Sequence, residues 1–354
     1  MEKAQEIIHL PSSVGGMAWA LSKGENELGH RSEVLYTDNS WLKYPCDKQV
    51  KLGSSKTINS FKLLIEFLAI RKKYDVFHFN FGKSLVELNQ FGIKLAELPF
   101  YPKGKRLFMT FNGCDARQKF KTMKRKKIAA CHNQKCYNGM CNSGRLDRKR
   151  ENNILKATKY IDHMFAVNPD LLYFLPPEKS SFLPYAVVDS VKSKTPIIQK
   201  KKFLIVHAPT QREAKGSNEI IKAVKSLQAE DSSINFALIE NTKHSEALKL
   251  YREADLIIDQ VKIGWYGAFA VECMYMSKPV AVYIDKADLF FIPKKMAQDL
   301  ENSVINITPD NILATLKEFI YDSQKLREIG GSARCFAHKW HSPQAVAKEV
   351  SNFI

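Results

Sequence analysis

Short apolar runs of strand length alternate with stretches in which apolar positions recur every three to four residues, through most of the chain. This pattern predicts parallel strands joined by covering helices, an α/β architecture. In the first half EIIHL, RSEVLY, DVFHFN, RLFMTF and HMFAVN read as strands. GGMAWALSKGENEL reads as a loop followed by a helix, INSFKLLIEFLAIRKK and ENNILKATKYI read as helices, and DLLYFLPP closes the domain. The second half restarts with FLIVHAP and continues through INFALIE, DLIIDQ and PVAVYI as strands. Between them SNEIIKAVKSLQAE, HSEALKLYREA and AFAVECMYMS carry helical periodicity.

Between the halves, residues 190–202 are rich in Lys, Ser and Pro, the composition of an exposed connection. With 354 residues the chain is long enough for two domains that each bury a core. The boundaries predicted are 1–190 for the first domain and 203–340 for the second, with a final helical segment at 341–354. No apolar run approaches the roughly 20 residues of a spanning helix, and the first residues lack a signal-peptide pattern. A cytoplasmic protein is expected.

Charge divides the halves. The chain has 54 Lys and Arg against 37 Asp and Glu, net +17. Residues 1–190 hold 31 basic and 18 acidic side chains, and 117–150 alone hold 12 basic residues and the single acid Asp147. This segment, expected as an insertion of the first domain, would attract phosphate-bearing partners: nucleic acid, an anionic bilayer or an anionic acceptor.

The chemistry concentrates in two loops of the second half. In HAPTQREAKGSNEIIKAV a strand ends, a loop presents Arg212 and Lys215, and a helix opens after Gly216. Two cations beside a helix N-terminus suit a diphosphate, because the guanidinium forks onto oxygens and the ammonium adds a point charge. In GWYGAFAVECMYMSKPVAVYI a small-residue turn at Gly267 leads into a helix that carries Glu272, a carboxylate suited to vicinal hydroxyls.

Together these segments resemble the donor half of retaining GT-B glycosyltransferases of family 4, and the likeness extends over nearly the whole chain. The resemblance implies two Rossmann-like domains facing across a cleft, with the C-terminal helix crossing back to the first. It implies a nucleotide-sugar-dependent enzyme of the hexosyltransferase type, moving a sugar from a nucleotide-diphosphate donor such as a UDP- or GDP-sugar to an acceptor hydroxyl. Arg212, Lys215 and Gly216 would hold the diphosphate, backbone amides at Gly267, Ala268 and Phe269 would meet it, and Glu272 would hold the ribose. SSVGGMAWALSKGENELGH resembles the opening glycine loop, where Gly15 and Gly16 let backbone approach a phosphate or the acceptor. YDVFHFNFG and TFNGCDAR resemble the segments that bring a His and an Asp to the cleft, here His78 and Asp115, for acceptor orientation. Glu240, with Gln260, is expected near the base. No metal is required for catalysis on this reading, since side-chain cations neutralise the diphosphate and the chain has no Asp-x-Asp pair. Two positions depart from the pattern: Gly264 stands where a sugar-binding glutamate is usual, and Asn112 where histidine is common.

Cys131, Cys136 and Cys141 form C-x4-C-x4-C, with Cys114 upstream. Steps of five residues cannot aim three thiols at one ion from a single helix, but a loop with Gly139 and Gly144 can. A structural Zn²⁺ on these four cysteines, a redox link and unconnected thiols are the alternatives. Cys46, Cys273 and Cys335 read as ordinary buried thiols.

The expected role is polysaccharide or glycoconjugate biosynthesis at the cell envelope, on a glycan or lipid-linked, anionic acceptor, with peripheral contact at the inner face of the membrane. A catalytically inactive sugar-nucleotide-binding or scaffold relative is the alternative, motivated by Gly264. A nucleic-acid binder is less compatible, because the cysteines of 117–150 lack a recognised finger spacing and the charge resides in that one segment, and no nucleic-acid partner is expected.

Overall fold

In the computed structural model, which describes residues 3–12, 14–37, 44–88, 91–190 and 202–354, twelve strands and twelve helices follow the chain. The strands are β1 (Glu6–Leu10), β2 (Arg31–Tyr36), β3 (Lys48–Gln49), β4 (Val76–Asn80), β5 (Arg106–Phe111), β6 (His163–Ala166), β7 (Ser180–Phe182), β8 (Phe203–His207), β9 (Ile234–Leu238), β10 (Leu256–Ile258), β11 (Val280–Val282) and β12 (Ile305–Asn306). The helices are α1 (Met17–Glu27), α2 (Lys56–Ile70), α3 (Lys119–Arg125), α4 (Arg145–Thr158), α5 (Arg212–Lys215), α6 (Ser217–Glu230), α7 (His244–Glu253), α8 (Ala268–Tyr275), α9 (Lys294–Glu301), α10 (Ile312–Ile320), α11 (Ser323–His341) and α12 (Pro343–Ser351).

Two units result, each built on a parallel sheet. The first comprises Met1–Gln118, Arg145–Val187 and Ser342–Ile354; the second comprises Lys119–Gly144 and Val188–His341. In the first, seven strands run in the order β3-β2-β1-β4-β5-β6-β7. Strands β1, β4 and β5 lie at its centre, where runs such as VFHFN are buried on both faces, the expected signature of a parallel sheet under helices. Its core joins Phe77, Phe79, Met109 and Met164 to Phe67 of α2 and Ile154 of α4. The final helix, α12, packs on α1 within this unit. It is capped by Ser342, whose hydroxyl accepts from the Ala345 amide.

The second unit has five strands in the order β12-β11-β10-β8-β9. Its core packs Ile205, Ile258 and Ala281 of the sheet against Ile220, Val224 and Leu227 of α6 and Leu316 of α10. Every predicted strand forms within a residue or two of its expected place. The short edge strands β3, β7 and β12 carry too few apolar residues to announce themselves in the sequence. The connection expected at 190–202 falls on 191–201, outside the described residues.

The basic segment corrects the domain reading. Expected as a loop-like insertion of the first domain, Lys119–Gly144 belongs to the second unit and opens with the helix α3. Specific bonds explain this. Lys126 is buried, donating to Asp285 at 2.7 Å and also to Asp288, and Arg125 donates to Asp288 at 3.0 Å. The Ala130 amide donates to the Lys262 carbonyl at 2.9 Å, and Asn133 donates to Glu213 at 2.8 Å. Arg125 and Lys126, within what reads as a solvated charge run, therefore act as a clamp.

Candidate nucleotide-sugar site

In the second unit the polar residues gather where β8 and β10 end, the position at which open parallel sheets bind ligands. Beyond β8, Gln211 caps α5 by accepting from the Ala214 amide at 2.7 Å. This single turn carries Arg212 and Lys215, and Gly216 ends it at φ +76°. That left-handed conformation favours glycine, and an added Cβ would lie 2.5 Å from Val261 Cγ2. The expected basic pair before Gly216 is thus fixed by a turn that tolerates little else.

Lys215 donates to Asp259, which sits immediately after β10 and is fully buried. The other oxygen of Asp259 accepts the Gly267 amide at 2.8 Å, where α8 begins. One carboxylate therefore holds the ammonium beside a helix N-terminus. Ala268 and Phe269 open α8, and the Phe269 ring packs edge-on to Tyr251, with centroids 4.7 Å apart. Glu272, one turn further along and only 8 % exposed, bonds His244 Nε2 at 2.6 Å. This contact holds the His244 imidazole above its ordinary pKa. Arg212 forks onto Glu240 with a 2.7 Å Nε bond, and the guanidinium holds the Glu240 carboxyl below the usual range.

Sequence reasoning missed Asp259 and His244. A carboxylate directly after the apolar run LII was a legible signal for the first; the second pairs with Glu272 across 28 residues, beyond any local pattern. Two expectations for base recognition change. Glu240 is engaged with Arg212, and Gln260 is fully buried. Its Nε2 donates to the carbonyls of Trp265 and Tyr283, and its Oε1 accepts the Lys262 and Ile263 amides at 2.8 and 2.6 Å. Gln260 shapes the loop and has nothing left for a base.

Gly264 adopts φ +86°, and a Cβ there would lie 3.1 Å from Asp285 Cβ and 3.4 Å from Lys126 Nζ. The departure from glutamate thus has a local cause. The backbone favours glycine, and the Lys126–Asp285 pair lies against the volume that a side chain would enter.

Beneath this site His207 donates from Nδ1 to the Ile258 carbonyl, and its Nε2 accepts from the Ser217 hydroxyl, both at 2.8 Å. Burial pushes the imidazole down to about 4. A histidine that stays neutral in the fold but protonates near 6.5 when unfolded contributes stability above pH 6.5 that is lost as pH falls towards 4. From pH 7 to 5 this residue removes about 2 kcal/mol. His163, also held down to about 4 by burial, acts in the same sense. Buried Glu97, pushed up to about 7, acts in the opposite one. Urea titrations of wild type and His207→Gln at both pH values should therefore show a smaller acid loss in the variant; equal losses would mean that His207 does not stay neutral in the fold.

The first unit changes the acceptor assignments. His78 is buried, with Nε2 2.6 Å from Thr110 Oγ1 and the His9 and Phe165 rings packed against it. Burial, with His9 alongside, holds its imidazole well below the usual histidine range. It is a core residue and cannot touch an acceptor. Asp115 accepts the amides of Asn112 and Gly113 at 2.9 and 2.6 Å and so builds the turn after β5. Burial raises its carboxyl, and the backbone bonds oppose that rise. Arg117 forks onto Asp170 at 2.6 and 2.7 Å. Gly15 and Gly16, at φ +63° and +72°, form the turn into α1.

Cys131 lies in the 3₁₀ turn Ala130–His132 and Cys136 in the turn Cys136–Gly139, both within the second unit. Among the described residues, His9, Glu25 and His78 form a group of three ligating side chains with donor atoms within 4.8 Å of one another. There His9 Nε2 and Ser32 Oγ bond Glu25 Oε2 at 2.7 and 2.6 Å, a buried network between α1 and the sheet. Cys273 is buried, whereas Cys46 is half-buried and Cys335 exposed.

No family model matches the chain, and no curated protein matches it. Solved structures share its fold. Sucrose-phosphate synthase from Thermosynechococcus elongatus aligns over 98% of this chain and 98% of its own, with TM-score 0.63 and 13% identity. UDP-GlcNAc 2-epimerase from Neisseria meningitidis, bound to UDP-GlcNAc, covers 98% of this chain and 97% of its own, with TM-score 0.53 and 13% identity. The G117R mutant of S. aureus TarM, in complex with fondaparinux, alpha-GlcNAc-glycerol and UDP, covers 82% of this chain and 58% of its own, with TM-score 0.54 and 12% identity. The two parallel-sheet α/β domains are those of the GT-B fold, which these solved structures share. Among the described residues no helix is long and apolar enough to cross a membrane.

Proposed function

We propose that the protein is a nucleotide-sugar-dependent glycosyltransferase that moves a sugar from a nucleoside-diphosphate donor to an acceptor hydroxyl with retention at the anomeric carbon. The observation that carries this reading is the Lys215–Asp259–Gly267 arrangement at the ends of β8 and β10, one helical turn from Glu272. Lys215 and the first amides of α8 would stabilise charge on the departing diphosphate, where preorganised donors act most strongly. Glu272, oriented by His244, would accept hydrogen bonds from the ribose. Arg212, steadied by Glu240, would add a second cation from the rim. Retention rests on the family resemblance; the overall charge of +17 supports an anionic glycan or lipid-linked acceptor.

A thermal-shift panel of UDP, GDP, ADP and CMP tests the donor site on wild type and Glu272→Ala. One nucleoside diphosphate at 100 times its dissociation constant should stabilise wild type by about 2.7 kcal/mol, and the variant should lose most of that shift. If none of the nucleotides stabilises the protein, the reading fails. With an acceptor in hand, NMR of the first-formed glycosidic bond separates retention from inversion.

A further inference from the structure

The helix α2 is apolar on two opposite sides. Leu63, Phe67 and Ile70 are buried against the first unit's sheet, yet Ile58, Phe61, Leu64, Ile65 and Leu68 stand 58, 65, 42, 53 and 51 % exposed. Ile58, Phe61, Ile65 and Leu68 follow the spacing of a single helix face. Phe100, 62 % exposed, lies at the end of the helix, where its carbonyl accepts from Arg71 at 3.3 Å. Lone exposed apolar residues need no explanation, but a contiguous stripe of this kind marks a contact surface.

Charge identifies the contact. Exposed Lys51, Lys62 and Lys72 border the stripe, with Lys62 Nζ 3.4 Å from the Lys51 carbonyl. The one acid of α2, Glu66, is neutralised by Lys48 at 2.6 Å. An apolar face rimmed by lysines matches an anionic bilayer, with hydrocarbon below and headgroup phosphates at the rim. A second copy fits poorly, because a two-fold contact would set these lysines against their own copies.

We propose that the exposed face of α2 docks the first unit onto an anionic lipid bilayer. The docking stands independently of the transferase reading.

Co-sedimentation of the full chain with vesicles tests the surface directly. Vesicles of phosphatidylcholine with about one third phosphatidylglycerol should carry wild type down, and phosphatidylcholine alone should do so much less. Phe61→Ser with Ile65→Ser should reduce the bound fraction about tenfold or more, with an unchanged melting temperature because both side chains are exposed. Vesicle binding equal to wild type in this variant overturns the proposal, as does wild type that ignores anionic vesicles. A wild-type dimer by light scattering that the substitutions convert to monomer also overturns it, in favour of a contact between copies. The nucleotide panel on the same variant separates the two readings, since loss of docking with retained nucleotide stabilisation leaves the donor site standing.

Discussion

Lys215→Ala should lower the turnover of sugar transfer about 10²- to 10³-fold, with a much smaller change in KM. The asymmetry follows from where the charge develops. The donor diphosphate is already anionic when bound, but further negative charge accumulates on its bridging oxygen as the glycosidic bond breaks, and a fixed ammonium rewards that change selectively. Lys215 is suited to this because Asp259 and the Gly216 turn hold its position before substrate arrives. The substitution also leaves Asp259, fully buried, with one fewer partner, so stability should fall. Adding Asp259→Asn removes the orphaned charge and separates the effects. If the double variant recovers its melting temperature and stays slow, Lys215 acts in the reaction. If turnover returns with stability, Lys215 is a structural cation and the proposed role is lost.

The second large effect is expected at Lys126→Ala, which should cost about 3–5 kcal/mol because it strips a partner from the buried Asp288 and the half-buried Asp285. Asp288 keeps Arg125 at 3.0 Å, but Asp285 loses its 2.7 Å bond. The damage should be local first, releasing Lys119–Gly144 from the unit that holds it. Trypsin should then cut this lysine-rich segment under conditions that leave wild type intact, and the urea midpoint should fall. A triple change, Lys126→Met with Asp285→Asn and Asp288→Asn, removes all three charges and should recover much of the loss. Wild-type trypsin resistance and an unchanged midpoint in Lys126→Ala would show that the segment is held by other contacts.

Much of the candidate site was legible because its signals are local. A basic pair ahead of Gly216 and a small-residue turn opening a helix at Gly267 are short-range features, and both lie where the pattern places them. The acceptor assignments depend on contacts that no local pattern shows. A histidine in the run DVFHFN looks the same whether it ends in a cleft or in a core, and only the Thr110, His9 and Phe165 contacts decide that His78 lies in the core.

By itself the sequence determined the βα alternation, the two parallel-sheet units and the loops at strand ends, because hydrophobic periodicity and glycine-dependent turns act over a few residues. Tertiary structure alone decided which charges are paired. Asp259 meets Lys215 across 44 residues, Glu272 meets His244 across 28, and Asp285 meets Lys126 across 159. Charge along a chain records how many ions there are; which of them leave water together depends on which strand ends and loops the fold brings face to face.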